Sequence, residues 1–549
     1  SGDPNGEIFV RVGLSRVERR LGAFGPAREQ AEEAVRLVED MRAGLQGPLS
    51  RGSFLATRYD AYEELVALLM ERGHAREALE VAERARARNL SEDLAEGSLS
   101  RAAGEGRGGG SDRKRTLQAE LQAMDARRQS LAAGDPRDPR LRDLDAELRR
   151  KGIELDRLAT VRAGLSGFRP LTAAGIQGLA DEESVFLIYL LSEPASFAWT
   201  VDGAGVEPHL LPNGKRIDTL ARRVVAAWSQ KSQAATRDTA ARAARELSQA
   251  ILAPLRHRLK GRRRLVILAD GALHLVPFAA LPVPEASEPL LLDHEIVLLP
   301  SATFLDQQRR RLAGREPAPG EIAVLADPVF SPEDERLSRD GSQTARSSGG
   351  RGFDPGPLQR LPFTALEAEA ILRLAPRKET FLAVGTDAHR DLVTSGALRR
   401  FRLLHFATHG LLHPVLPERS GIVLSQVDVQ GRRREGFLSA PDVAGLDLPA
   451  EMVVLSACRT GLGREVRGEG LVGLTQAFFR AGARRVVVSH WSVQDRATAE
   501  LMARFYRGLL GEGLSSAAAL RAAQLSIRSE EKWSSPWFWA GFSLHGDWQ

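Results

Sequence analysis

Residues 452–461 read Met-Val-Val-Leu-Ser-Ala-Cys-Arg-Thr-Gly, and the fold is decided by how this stretch is read. Met452-Val453-Val454-Leu455 is a short, branched, wholly apolar run, as expected of a strand covered on both faces. It stops at Ser456-Ala457-Cys458-Arg459-Thr460-Gly461, and Cys458 is the only cysteine among 549 residues. An upstream run, Leu403-Leu404-His405-Phe406-Ala407-Thr408, ends the same way at His409-Gly410. Each reads as a buried strand delivering one reactive side chain at its carboxyl end. Open parallel sheets bind ligands at that edge. A thiol and an imidazole presented there suit nucleophilic catalysis.

The chemistry needs both groups. A thiol with a free pKa of about 8.5 is mostly protonated at neutral pH and needs a base or a positive field. His409 can take the thiol proton or protonate a leaving amine. Gly410 lets a substrate backbone come close, and its N–H can join that of Cys458 in facing a developing oxyanion. Each residue alone has an ordinary structural reading. A lone cysteine after an apolar strand can be a small buried hydrophobe, and a strand-end histidine can simply be hydrogen-bonded. Their joint placement at two carboxyl ends argues for catalysis.

The rest of the composition narrows the function. Hydrophobic residues make up 43% and charged residues 27%, enough apolar surface for a large core. Lys and Arg (76) nearly balance Asp and Glu (71), and aromatic residues, at 6%, do not interleave with the basic clusters. Nucleic acid is therefore not expected as a direct partner. A single cysteine excludes an internal disulfide and a cysteine-based zinc site, which fits a reducing cytoplasm. No apolar run approaches a membrane span, so no membrane partner is expected. Neither a phosphate loop nor a metal-ligand cluster stands out, so no cofactor is expected. The first residues, Ser1-Gly2-Asp3-Pro4, are set aside from fold reasoning.

Read in order, the chain divides into three. Residues 1–165 are helical. Within 61–90, Tyr62, Leu65, Gly73, Ala78 and Ala85 fall where a tetratricopeptide hairpin places its aromatic, leucine, turn glycine and small packing residues. Leu21–Val38 is a looser copy. Residues 97–116 are rich in Gly, Ser and Arg and are expected as a flexible loop. Residues 117–163 form a long helical arm broken at Gly134-Asp135-Pro136. Residues 166–315 mix strands (185–191, 197–201, 206–211, 265–269) with helices (215–230, 238–260, 301–312). Asp270 and His274 in this part read as a turn acid and a packed histidine. Residues 316–549 alternate helices and strands around the Cys/His pair, with a polar insertion at 331–357 and helices expected at 386–398, 470–481 and 495–510.

The chain resembles the CHAT domain family, the caspase-like peptidases related to separase. The resemblance rests on Leu273-His274-Leu275-Val276-Pro277-Phe278, Leu404-His405-Phe406-Ala407-Thr408-His409-Gly410 and Val453-Val454-Leu455-Ser456-Ala457-Cys458-Arg459-Thr460-Gly461. Gly468-Glu469-Gly470, Trp491-Ser492-Val493-Gln494-Asp495 and Trp537-Phe538-Trp539-Ala540-Gly541-Phe542 add to it. The resemblance covers 320–549 and extends to 170–549. His409 lies 49 residues before Cys458, close to the caspase spacing of about 50. A departure is His490, where the family usually has leucine.

The resemblance implies an α/β caspase-like fold preceded by an all-α helical-repeat region. It implies a Cys458/His409 dyad and peptide hydrolysis, with 166–315 a degenerate half lacking a nucleophile. In separase an acid in the similar Trp-x-Val-x-Asp stretch lines the pocket for a P1 arginine, which makes Trp491 and Asp495 substrate-pocket candidates. An acid there would pair with P1 Arg or Lys through charge-assisted bonds. Asp495 could equally cap the helix that follows it. Bacterial relatives with this arrangement resemble effectors that cut a protein partner on infection or stress, including gasdermin-like proteins and partners of RNA-guided complexes. The helical region would then receive a regulatory protein or ribonucleoprotein. Cleavage after basic residues would make Arg113, Arg115, Arg339 and Arg346 self-cleavage candidates. The alternative from another class is a catalytically silent scaffold whose protease fold serves as a binding module.

Overall fold

The computed structural model describes the chain except for residues 1–3, 44, 46–47, 87–89, 93–116, scattered positions between 118 and 137, 160–168, 230–233, 338–357, 376–378, 412–419, 458–463 and 467–469. Sixteen strands are described. The first five are β1 (Ser184–Leu190), β2 (Ser196–Asp202), β3 (Gly205–Leu211), β4 (Arg264–Leu268) and β5 (Glu295–Leu298). Then come β6 (Gly320–Pro328), β7 (Thr380–Gly385), β8 (Phe401–Ala407), β9 (His409–Leu411), β10 (Gly421–Val423) and β11 (Phe437–Ser439). The last are β12 (Met452–Ser456), β13 (Arg464–Val466), β14 (Gly470–Val472), β15 (Arg485–Ser489) and β16 (Phe542–Gly546).

Eleven strands form one sheet in the order β3-β2-β1-β4-β5-β16-β15-β12-β8-β6-β7. β12 is buried at every position, as its unbroken apolar run requires when helices cover both faces. β6, β7, β8, β12 and β15 run parallel to one another. β16 closes the sheet: it pairs antiparallel with β15 and parallel with β5. The two blocks of parallel strands therefore point in opposite directions. The carboxyl end of β4, which leads to Asp270, lies at the opposite edge from the carboxyl ends of β8 and β12. The expected boundary near residue 315 falls between two blocks of one continuous sheet.

The fold class is α/β with a mostly helical N-terminal region. Helices Pro4–Arg20 and Phe24–Ala43 pair, as do Tyr59–Glu71 and Ala75–Arg84. Gly73 joins the second pair at φ +77, a left-handed turn that suits glycine. Tyr62, Leu65, Ala78 and Ala85 are all buried in or beside that hairpin. The hairpin docks on the first half of the sheet. Trp199 donates its indole N–H to Ala75 O at 3.1 Å, and buried Arg86 donates to the carbonyls of Tyr189 and Ala269. Helix Arg140–Ala159 packs Leu144 and Leu148 against Leu121, with Lys151–Glu120 and Arg128–Asp145 ion pairs alongside. The glycine-rich stretch 97–116 lies outside the described residues, as does the insertion from 338 onward.

Three helices differ from expectation. The segment expected as helix 470–481 opens as β14, paired with β13, and the helix runs only over Leu474–Ala481. Gly470 and Gly473 carry the highest backbone entropy cost of helix formation and leave this start to the ribbon. The expected helix 386–398 is reduced to Arg390–Thr394 and a 3₁₀ turn at Ala397–Arg400, divided by Gly396 at φ +85. The expected helix 238–260 ends at Ile251, just before Pro254. Among the described residues no helix is long and apolar enough to cross a membrane.

Candidate active site

The site is built by the level ends of two neighbouring strands. β8 and β12 are hydrogen-bonded in parallel, and their ladder ends with Ser456 opposite Ala407. Thr408 N–H donates to Ser456 O at 3.3 Å, holding the two exits together. His409 is two residues beyond that last rung on one strand; Cys458, outside the described residues, is two beyond it on the other. The next strand secures the approach to the cysteine, because Ser489 Oγ donates to Ala457 O at 2.5 Å.

His409 starts β9, which pairs with β10, which pairs in turn with β11. Gly410 sits opposite Ile422 in that small sheet. The His409 imidazole lies against the Phe330 ring, centroids 5.1 Å apart. Its Nε2 is 2.6 Å from Gln359 O, and a carbonyl can only accept, so Nε2 carries the proton. Nδ1 therefore holds the lone pair. Burial holds the imidazole pKa below its usual value, with the Gln359 bond partly opposing that.

The pocket candidates have distinct positions. Trp491 is 2% exposed and donates its indole N–H to Trp537 O at 3.0 Å. An indole packs into the core wherever its N–H finds a partner, and that is how Trp491 sits in this structure. Asp495 is half-buried in the first turn of helix Asp495–Tyr506, whose N-cap, Gln494, makes no side-chain cap bond. Asp495 does not cap its own helix. Its Oδ2 accepts from Phe363 N–H at 3.1 Å, at the start of helix Phe363–Leu372. Burial pushes its carboxyl up to about 6, with Glu367 and Asp327 adding repulsion.

Gln359, Asp327 and Arg360 carry no catalytic signature in sequence. Gln359 contributes through its main chain, which no side-chain pattern marks. Asp327, at the end of β6, is 4% exposed and adopts φ +45, an uncommon conformation for a residue other than glycine. It pairs with Arg360 and Arg336. Behind the site, His405 on β8 lies between Tyr506 OH (3.1 Å from Nδ1) and Glu367 (2.8 Å from Nε2), all buried. The Glu367 contact is off the line of a good hydrogen bond. Asp270 and His274 make a different, structural arrangement: Asp270 accepts from Gly271 N and Leu191 N, and His274 is held neutral by burial, its pKa pushed down to about 4. Among the described residues no three His, Cys, Asp or Glu side chains are grouped to hold a metal ion.

Comparison with known proteins agrees with the sequence resemblance. Tetratricopeptide repeat protein 28 of Mus musculus and of Homo sapiens are each 28% identical over 313 residues, 52% of this chain. The chain spans 12% of the length of those relatives. Among solved structures, the Saccharomyces cerevisiae separase–securin complex is similar with a TM-score of 0.41 and 8% identity, over 98% of this chain and 49% of that one. The complex of Porphyromonas gingivalis RgpB pro- and mature domains has a TM-score of 0.34 and 9% identity, over 61% and 77%. Residues 241–547, more than half of the chain, match the CHAT domain, and the chain belongs to the CHAT domain family.

Proposed function

We propose that the protein is a cysteine endopeptidase working through a His409/Cys458 dyad. The observation that carries this reading is the level exit of β8 and β12, with His409 and Cys458 the same two steps beyond the Ala407–Ser456 rung. Only one peptide link, about 3.8 Å from Cα to Cα, separates the cysteine in sequence from the anchored Ala457. With Nε2–H engaged by Gln359 O, the lone pair on Nδ1 is the one free to accept the thiol proton. The lowered imidazole pKa keeps that base neutral near pH 7.

In this scheme the thiolate attacks the scissile carbonyl carbon, and the N–H groups of Gly410 and Cys458 stabilise the oxyanion. The His409 imidazolium then gives its proton to the leaving amine as the C–N bond breaks. Water, deprotonated by His409, hydrolyses the thioester and restores the thiol. A substrate side chain of Arg or Lys beside Asp495 would draw its raised pKa down and pair with the carboxylate. The substrate is a protein partner, and the helical region, docked through Arg86 and Trp199, is where a regulator would act.

Cleavage-site mapping with the wild type against Cys458→Ala tests the reading. Peptide ends that appear with the wild type and vanish with the variant are expected, with basic P1 residues among them. Identical peptide ends from both proteins would leave only the scaffold reading. Alkylation of Cys458 should also slow in His409→Ala.

A further inference from the structure

The segment Gln359–Phe363 crosses the carboxyl edge of the sheet and touches three site residues in turn. Gln359 O meets His409 Nε2, Arg360 grips Asp327, and Phe363 N–H meets Asp495 Oδ2. The Arg360 contact is bidentate, with Nε to Oδ1 at 3.0 Å and Nη2 to Oδ2 at 2.8 Å. That fork geometry fixes direction as well as distance. Asp327 is itself held from several sides. Arg336 donates to its carbonyl and pairs with its carboxylate, and its N–H donates to Thr364 Oγ1 at 3.0 Å. Thr364 Oγ1 in turn donates to Leu361 O at 2.7 Å.

The carbonyl of Gln359 and the N and Cα of Arg360 belong to one planar peptide unit. Anchoring Arg360 therefore aims the Gln359 carbonyl. The anchor is on β6, whose Ala326 pairs with Ala407 of β8, so Asp327 and His409 follow the same rung on neighbouring strands. A buried acid held at φ +45 is the kind of backbone outlier that persists where the surroundings enforce it.

We infer that Arg360 is a positioning residue: its ion pair with Asp327 holds the Gln359 carbonyl on His409 Nε2 and so fixes the imidazole tautomer that leaves the lone pair on Nδ1. The inference deepens the peptidase reading and rests on it for its kinetic part only. The tautomer of His409 is a property of the resting protein, and it can be measured whether or not any peptide is cut.

The test uses the full chain with ¹⁵N-labelled histidine, the His409 ring signals being assigned by their loss in His409→Gln. In the wild type His409 is expected as the single Nε2–H tautomer. In Arg360→Ala it should become a mixture, and kcat on a substrate peptide should fall on the order of 100-fold, the scale of an ångström-sized misplacement, with KM little changed. Arg360→Lys keeps the charge without the fork and should lie between. A merely structural pair would shift the unfolding midpoint while the tautomer stayed pure. Retention of the pure Nε2–H form in Arg360→Ala, or an unchanged kcat, overturns the inference. Absence of turnover in the wild type sinks the peptidase reading instead and leaves the tautomer to decide this one.

Discussion

Ser489 and Ala457 are joined across neighbouring strands, the serine hydroxyl donating to the alanine carbonyl at 2.5 Å, one residue before the sole cysteine. The bond fixes the chain just past β12 to β15. Ser489→Ala should cost only about 1 kcal/mol of stability, the net worth of one hydrogen bond. Turnover should fall more than that, by about tenfold, because the chain leading to Cys458 loses its tether. Denaturant unfolding beside peptide kinetics would separate the two; equal turnover in both proteins would show that the tether does not matter.

Gly421 is enclosed where β10 meets β11. A Cβ there would lie 2.3 Å from Leu438 O and 2.6 Å from the Phe437 ring. Gly421→Ala should therefore push β10 and β11 apart at a cost of about 1–3 kcal/mol. β10 is also the strand that holds His409 and Gly410, so activity should drop with stability. A thermal melt and a cleavage assay on the same preparation check both.

His490 is 1% exposed, and among the described residues neither ring nitrogen has a hydrogen-bond partner. Such a group forfeits its solvation without return, so His490→Leu should stabilise the protein by about 1–2 kcal/mol at neutral pH. Desolvation holds three histidines neutral, the buried His490 and the partly buried His274 and His545: the pKa is pushed down to about 4 for His274 and His490, and to about 3 for His545. Their unfolded value is about 6.5, so the unfolded chain binds protons more readily. Their contribution is complete above about pH 6.5 and is lost as pH falls towards 4. The unfolding midpoint should decline steeply over that window, and less steeply in His490→Leu.

Asp495 has the opposite sign. Its folded pKa is raised to about 6, mainly by burial, so the protonated form is favoured in the folded state. Stability from this group is present at acid pH and lost as pH rises through about 6. Asp495→Asn keeps an acceptor for Phe363 N–H without the charge. It should stabilise the protein above pH 7 by on the order of 1 kcal/mol after solvent screening, and not at pH 4. If Asp495 receives a basic P1 side chain, the same substitution should raise KM for Arg substrates. Melts at the two pH values and a peptide panel read both effects.

The strands of the central sheet were legible because their apolar runs, such as Met452–Leu455 and Leu403–Phe406, are long enough to cross a covered sheet and end at turn residues. The tetratricopeptide-like hairpin was legible from small residues at fixed spacing. The Gln359 carbonyl was not, since a main-chain acceptor leaves no trace in residue identity. Asp495 stood out in the sequence, but not the helix it serves, because a carboxylate can bond the helix beside it as easily as its own. Trp491 marked the family yet packs inward, since the same aromatic identity serves a core and a pocket equally well. The β13–β14 ribbon was missed where Gly470 and Gly473 weakened a helix pattern without announcing a strand.

The position of β16 sets the order of events during synthesis. It is threaded between β5 and β15, more than two hundred residues after β5 in the chain and beyond β8 and β12, which lead to His409 and Cys458. Until Phe542–Gly546 emerges from the ribosome, the two blocks of the sheet share no strand and each exposes an open edge. Assembly of the complete sheet is thus a late, long-range step, the kind that slows folding and invites chaperones. A nascent chain would carry Cys458 and His409 well before the sheet around them was complete.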